Sequence, residues 1–193
     1  AGATTRAVTP AVLSCVSARS GPLGCVAAVS VAETRLTQLR LSGNPLLMVA
    51  EALEKPGNLG SLARTASAAG ADALIAVDSS TDVFAPAALH ASLGAVFALP
   101  VVRCSSRQAL AWMHDRGIAV VATSPAGRSA YYELDLARPL AVAVGNEYRG
   151  LSQPWLDAGT PARIPMTGTM NSLNATVAGG IVLFEAVRQR AVS

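Results

Sequence analysis

An α/β fold, a parallel sheet with helices on both faces, is predicted by three features of the sequence. From Pro45 onward, short apolar runs alternate with helical patterns, the order expected of parallel strands joined by crossover helices. The runs are nearly continuous in Ala, Val, Leu and Ile, as strands buried on both faces are. Asn58, Thr123, Gly145 and Met166 all fall at or just after predicted strand ends. Their loops are therefore expected at one rim, where open parallel sheets bind ligands.

In order, PLLMVAEAL is predicted as a strand and GNLGSLARTASAAG as a small-residue helix. ADALIAVD is a second strand, and APAALHASLGAVFAL a second, single helix. PVVRC, SRQALAWMHDRG and IAVVATS read as strand, helix and strand. After the connection YYELDLARP, LAVAVGNE is again a strand, and ARIPM a last short one before the final helix. In that helix Val177, Ile181, Phe184 and Val187 recur at spacings of four and three, an apolar stripe. Ser172 or Asn174 is placed to cap its start, and Arg188 and Arg190 suit the negative end of its dipole. The pair Gly179-Gly180 is costly inside a helix and is expected at a close helix-to-helix approach across a dimer interface.

Residues 1–43 read differently from 44–193. LSCVSARSGPLGCVAAVSV predicts a hairpin of two short strands about a Ser-Gly-Pro turn.

The chain of 193 residues is 51% hydrophobic and only 14% charged, apolar for a soluble monomer. No apolar run approaches the roughly 20 residues of a membrane span. The surplus is expected to be buried in a homodimer, and no membrane association is expected. The formal charge is +3, with a single Lys, Lys55, among fifteen Lys and Arg. That balance permits nucleic-acid binding without requiring it. Cys15, Cys25 and Cys104 lack metal-ligand spacing and predict reduced thiols in a cytoplasmic protein without a secretory leader. His90 and His114 read as surface or half-buried residues, and no metal site is expected.

The segment from Asn58 to Arg64 sets two glycines about the start of a helix, an arrangement that favours an anion. It lacks the Lys-Ser/Thr ending of a Walker loop and the GxGxxG spacing of a dinucleotide fold, which argues against both ligand classes. Read alone, Arg64 is a surface helix charge. Gly145-Asn146-Glu147 closes an apolar strand, and its glycine permits close approach of a ligand to the backbone.

Three stretches together, KPGNLGSLARTASAAGA, AVAVGNEYRGLS, and IPM with SLN, resemble in order the three motifs of the SpoU/TrmH family. These are S-adenosylmethionine-dependent RNA ribose 2′-O-methyltransferases of the SPOUT superfamily. The resemblance covers roughly residues 45 to 190. It implies a C-terminal deep trefoil knot, a feature that is otherwise very rare. It also implies that Arg64 is the catalytic arginine, either as a base helped by a phosphate or as a stabiliser of developing negative charge. Asn58, Glu147, Ser172 and Asn174 are implied as the other polar residues of the active site. Thr123, Gly145, Asn146, Ile164, Met166, Ser172 and Leu173 are implied to hold the cofactor, with Ile164 and Met166 forming an apolar slot for adenine. The sequence has SLNAT where SLNVS is common in the family, and His90 where a basic Arg is frequent.

Many such enzymes carry a small N-terminal RNA-binding domain, of which residues 1–43 would be the remnant or the linker. Ribosomal RNA is thereby the expected substrate, with a transfer-RNA guanosine as the close alternative. A non-catalytic RNA-binding protein that kept the fold is the reading from another class.

Overall fold

The structure, a computed structural model, describes residues 2–17, 24–31 and 34–192. Two compact units are present, Ala1–Ala32 and Glu33–Ser193.

The first unit departs from the predicted hairpin. Its second half, residues 24–31, forms no strand, and Pro10–Val16 is a helix, α1. Thr9 Oγ1 accepts the Val12 N–H at 3.4 Å, and Pro10 occupies the first turn, where its missing N–H costs nothing. The local capping signal outweighs the β propensity of Val12 and Val16. The predicted Ser-Gly-Pro turn lies outside the described residues.

The second unit is a seven-stranded sheet in the order β3-β2-β1-β6-β4-β7-β5, parallel at every pairing. Its strands are β1 Leu46–Glu51, β2 Ala73–Val77, β3 Val101–Cys104, β4 Ala119–Thr123, β5 Ser129–Ala130, β6 Leu140–Val144 and β7 Thr160–Arg163. Every residue of β1, β2 and β6 is buried, the physical basis of their unbroken apolar runs. Two-residue alternation sends Leu46, Met48 and Ala50 to one face and Leu47 and Val49 to the other.

Helices α2 Pro56–Ala68 and α7 Ala175–Val192 cover the first face; α5 Ser106–His114 and α6 Gln153–Ala158 cover the second. Residues 34–43 belong with this unit. Thr34 bridges Val102, Leu36, Leu39 and Leu41 pack on the second-face core, and Asp72 accepts from Ser42 N at 2.6 Å.

Several elements differ from expectation. The predicted helix over residues 85–99 is two, α3 Pro86–Ser92 and α4 Ala95–Ala98, parted by Leu93 and Gly94 in left-handed conformation (φ 49° and 86°). The last strand stops at Arg163, so Ile164, Pro165 and Met166 lie beyond it. Helix α6 and the two-residue β5 were not foreseen, being too short for a periodic signal.

The final helix also faces its core differently. Its buried stripe is Gly179, Val182, Leu183 and Ala186, while Val177 and Phe184 are 50% and 47% exposed. A Cβ on Gly179 would stand 3.0 to 3.3 Å from Val144, Leu62 and Met48, and one on Gly180 would stand 3.3 Å from Thr65. The glycine pair thus serves a close approach of α7 to α2 and β6 within one chain, a correction to the expected dimer role.

Candidate active site

At the carboxyl rim of the sheet, the turns after β4, β6 and β7 and the start of α7 enclose a pocket of about 380 Å³. Thr123, Gly145, Asn146, Glu147, Ile164, Met166, Ser172 and Leu173 all line it. Ser124, Pro125, Tyr148, Leu151, Leu156 and Asn171 line it as well without having been foreseen; none has a residue type or spacing that sets it apart in sequence.

The loop from Gly145 to Gly150 is tightly built. A Cβ on Gly145 would fall 2.1 Å from the carbonyl carbon of Gly150, so only glycine fits. Gly150 itself is left-handed (φ 70°), and its N–H donates to Asn146 O at 2.9 Å. Asn146 Oδ1 accepts from Tyr148 N and Arg149 N at 2.9 and 3.2 Å, while its Nδ2 donates to Ala52 O and Glu54 Oε1, both at 3.0 Å. On the opposite wall Thr123 Oγ1 donates to Ala143 O at 2.9 Å and so ties β4 to β6.

Ten consecutive residues, 165–174, are exposed along the mouth, Met166 and Leu173 among them at 39% and 37%. The segment ends where Asn174 caps α7: its Oδ1 accepts the Thr176 N–H at 2.8 Å. Of the two candidate caps, the helix uses Asn174.

That cap orients a chain of amides. With Asn174 Oδ1 engaged, its Nδ2 faces Asn58 Oδ1 at 3.3 Å. The Asn58 Nδ2 is then turned to Glu147 Oε1 at 2.7 Å. Thr176 Oγ1 adds a bond to Asn58 O at 3.2 Å. The three motif segments therefore meet in one hydrogen-bonded line, although Asn58 and Asn174 do not themselves line the pocket. Partial burial alone would raise the Glu147 pKa. Hydrogen bonds from Asn58, its own backbone and Glu54 N, with the Lys55 charge, outweigh that and hold it below the ordinary carboxylate value. Glu147 is thus kept ionised, as an acceptor.

Arg64 lies elsewhere. It is exposed on α2, does not line the pocket, and its side chain makes no hydrogen bond or ion pair among the described residues. Lys55 and Tyr148 meet at the rim, with Lys55 Nζ 5.9 Å from the ring centroid. His90 and His114 are exposed, and among the described residues no group of three or more His, Cys, Asp or Glu is arranged to hold a metal. No helix of the described residues is long and apolar enough to cross a membrane.

Comparison with known proteins agrees with this geometry. The profile of the SpoU rRNA methylase family matches residues 45–184. The chain is 38% identical over 142 residues to a 23S rRNA (uridine(2479)-2'-O)-methyltransferase of Streptomyces viridochromogenes, covering 70% of this chain and 50% of the relative. It is 36% identical over 153 residues to the 23S rRNA (guanosine-2'-O-)-methyltransferase RlmB of Pseudomonas syringae pv. tomato, covering 78% of this chain and 61% of the relative. The chain therefore spans about half to three fifths of the length of these curated relatives. Among solved structures, the S. viridochromogenes SpoU methyltransferase AviRb with its cofactor AdoMet superposes with a TM-score of 0.79 at 33% identity, over 84% of this chain and 67% of that one. With a family profile spanning the whole sheet, this chain belongs to the SpoU rRNA methylase family.

Proposed function

We propose that the chain is the catalytic domain of an S-adenosylmethionine-dependent enzyme that methylates a ribose 2′-hydroxyl in structured RNA, ribosomal RNA first. The observation that carries this reading is the hydrogen-bonded line Asn174–Asn58–Glu147, which joins three separate segments beside one pocket.

The pocket fits the cofactor. Its volume lies within the roughly 300–1,000 Å³ of small-molecule sites, and apolar walls face a few polar groups. Ile164, Met166 and Leu173 would hold the adenine, and the Gly145–Gly150 backbone its polar edge. When bound, S-adenosylmethionine supplies an electrophilic methyl group. Ser172 and Asn171 are the polar residues of the α7 approach that line the same space. Glu147, held ionised by the hydrogen bond from Asn58, supports the loop.

Arg64 holds the RNA phosphate and stabilises charge developing on the ribose oxygen. A guanidinium stays protonated at working pH, which suits that role better than a base. Because Arg64 stands off its own chain's pocket, it acts on the pocket of a second copy. The outward stripe of α7, with Val177 and Phe184 about half exposed, supports a homodimer built on that helix. Helix α2 accompanies it, since Thr65, next to Arg64, packs at Gly180.

The same reading carries the C-terminal trefoil knot, the residues before the sheet unit (1–32) as linker or remnant of an RNA-binding domain, and action in the cytoplasm with Cys15, Cys25 and Cys104 as free thiols. Transfer of labelled methyl groups from S-adenosylmethionine to total RNA tests it. Label in ribose 2′-O-methyl nucleotides of ribosomal RNA is expected. Label confined to transfer RNA would move the substrate, and no label with no calorimetric binding of the cofactor would end the proposal.

A further inference from the structure

Strand β1 ends on a carboxylate that the proposed chemistry does not use. Glu51 is only 5% exposed, and no Lys or Arg pairs with it among the described residues. A buried carboxylate without a cation is costly unless donors surround it. Here the donors come from elsewhere in the chain. Ser152 N donates to Oε2 at 2.7 Å, Ser152 Oγ donates to Oε1, and Ser106 Oγ donates to Oε1 at 3.4 Å. Ser106 Oγ in turn accepts from Trp155 Nε1 at 2.8 Å.

The next residue completes the arrangement. Ala52 is in the left-handed region (φ 49°), and its carbonyl accepts from Asn146 Nδ2 at 3.0 Å. Two consecutive residues of β1's end thus grip both ends of one loop, Asn146 through Ala52 and Ser152 through Glu51. Between those anchors, the Gly150–Leu151 backbone presses on Gly145, where even a Cβ would not fit. A slip of Ser152 would move the pocket wall directly.

We propose that Glu51 is a positioning residue, a hydrogen-bonded latch that holds the 145–152 loop in the shape the pocket needs. The ligand half of this inference rests on reading the pocket as the S-adenosylmethionine site.

Glu51→Leu keeps the volume and removes the acceptors. Hydrogen exchange is expected to speed up at amides 150–152 and stay unchanged in α7, with the Kd for S-adenosylmethionine rising about tenfold or more. Glu51→Gln should bring both back to within about threefold, because its oxygen still accepts from Ser152 N while its amide donates to hydroxyls that can accept. If the Leu variant does not fold, Glu51→Asp, withdrawn by one methylene, is read in the same way. Unchanged exchange at 150–152 in a folded variant overturns the latch, as does a Gln variant no better than Leu. Should the unmutated chain fail to bind S-adenosylmethionine, the functional reading fails while the exchange data still decide the latch.

Discussion

Asn58 Nδ2 donates to Glu147 Oε1 at 2.7 Å and so joins the first turn of α2 to the loop after β6, 89 positions away. Replacing Asn58 with Asp sets two carboxylates face to face, a repulsion that disfavours ionisation of both. Asn58→Asp is expected to lower methyl transfer by about tenfold or more and to raise the Glu147 pKa. Rates and carboxylate-resolved NMR titration check both; a Glu147 titration unmoved by the substitution would remove the amide from its assigned role.

The same pair sets a pH dependence. The folded-state pKa of Glu147 is depressed below 4.5, its ordinary value. Its contribution to stability is therefore complete above the unfolded pKa and disappears as pH falls through the folded one. Melting temperature should fall more steeply with acid, from about pH 4.5 downward, in the unmutated chain than in Glu147→Gln. Parallel curves for the two proteins would contradict it.

At Gly145 a single methyl group has nowhere to go, since the nearest backbone atom of Gly150 would be 2.1 Å away. Gly145→Ala must displace the loop, at a cost of about 1–3 kcal/mol. Cofactor affinity should drop more than global stability warrants. Calorimetric titration beside thermal unfolding gives the comparison.

The exposed stripe of α7 yields two linked expectations. Phe184→Glu, at a position 47% exposed in one chain, should turn the proposed dimer into a monomer in light scattering and abolish transfer. Mixing Arg64→Ala with Gly145→Ala should restore activity, because one site of the mixed dimer then holds both an intact pocket and a partner's arginine. No recovery on mixing would mean that Arg64 acts within its own chain.

Arg190 is a structural counterpart to these functional residues. Its guanidinium donates to Asn44 O and Arg138 O at 2.7 Å and to Pro45 O at 2.9 Å, pinning the entries of β1 and β6 to the end of α7. Arg190→Met leaves the Asn44 and Arg138 carbonyls without this donor, Pro45 O keeping the Leu140 N–H, and should cost about 1–3 kcal/mol in urea unfolding. Transfer rates at low temperature should survive. A loss below about 0.5 kcal/mol would show that water replaces the arginine at the surface.

Much of the architecture was legible in the chain, and for a physical reason. Strands buried on both faces must be apolar throughout, so β1, β2 and β6 announce themselves as runs, and the helices between them follow from the parallel crossover. The pocket glycines and the polar turns at strand ends were legible too, because close backbone approach and capping each demand a narrow set of residue types.

What α7 does was decided only by packing. It is apolar on several sides, so periodicity could not choose between the stripe of Val177, Ile181 and Phe184 and the stripe of Gly179, Val182 and Leu183. The inward face is the one whose glycine fits against Leu62, Met48 and Val144. The partnership of Asn58 with Glu147, the burial of Glu51 under Ser152 and the absence of Arg64 from the lining of its own chain's pocket are likewise tertiary outcomes. Each depends on where two remote backbones come to rest, and neither composition nor spacing carries that information.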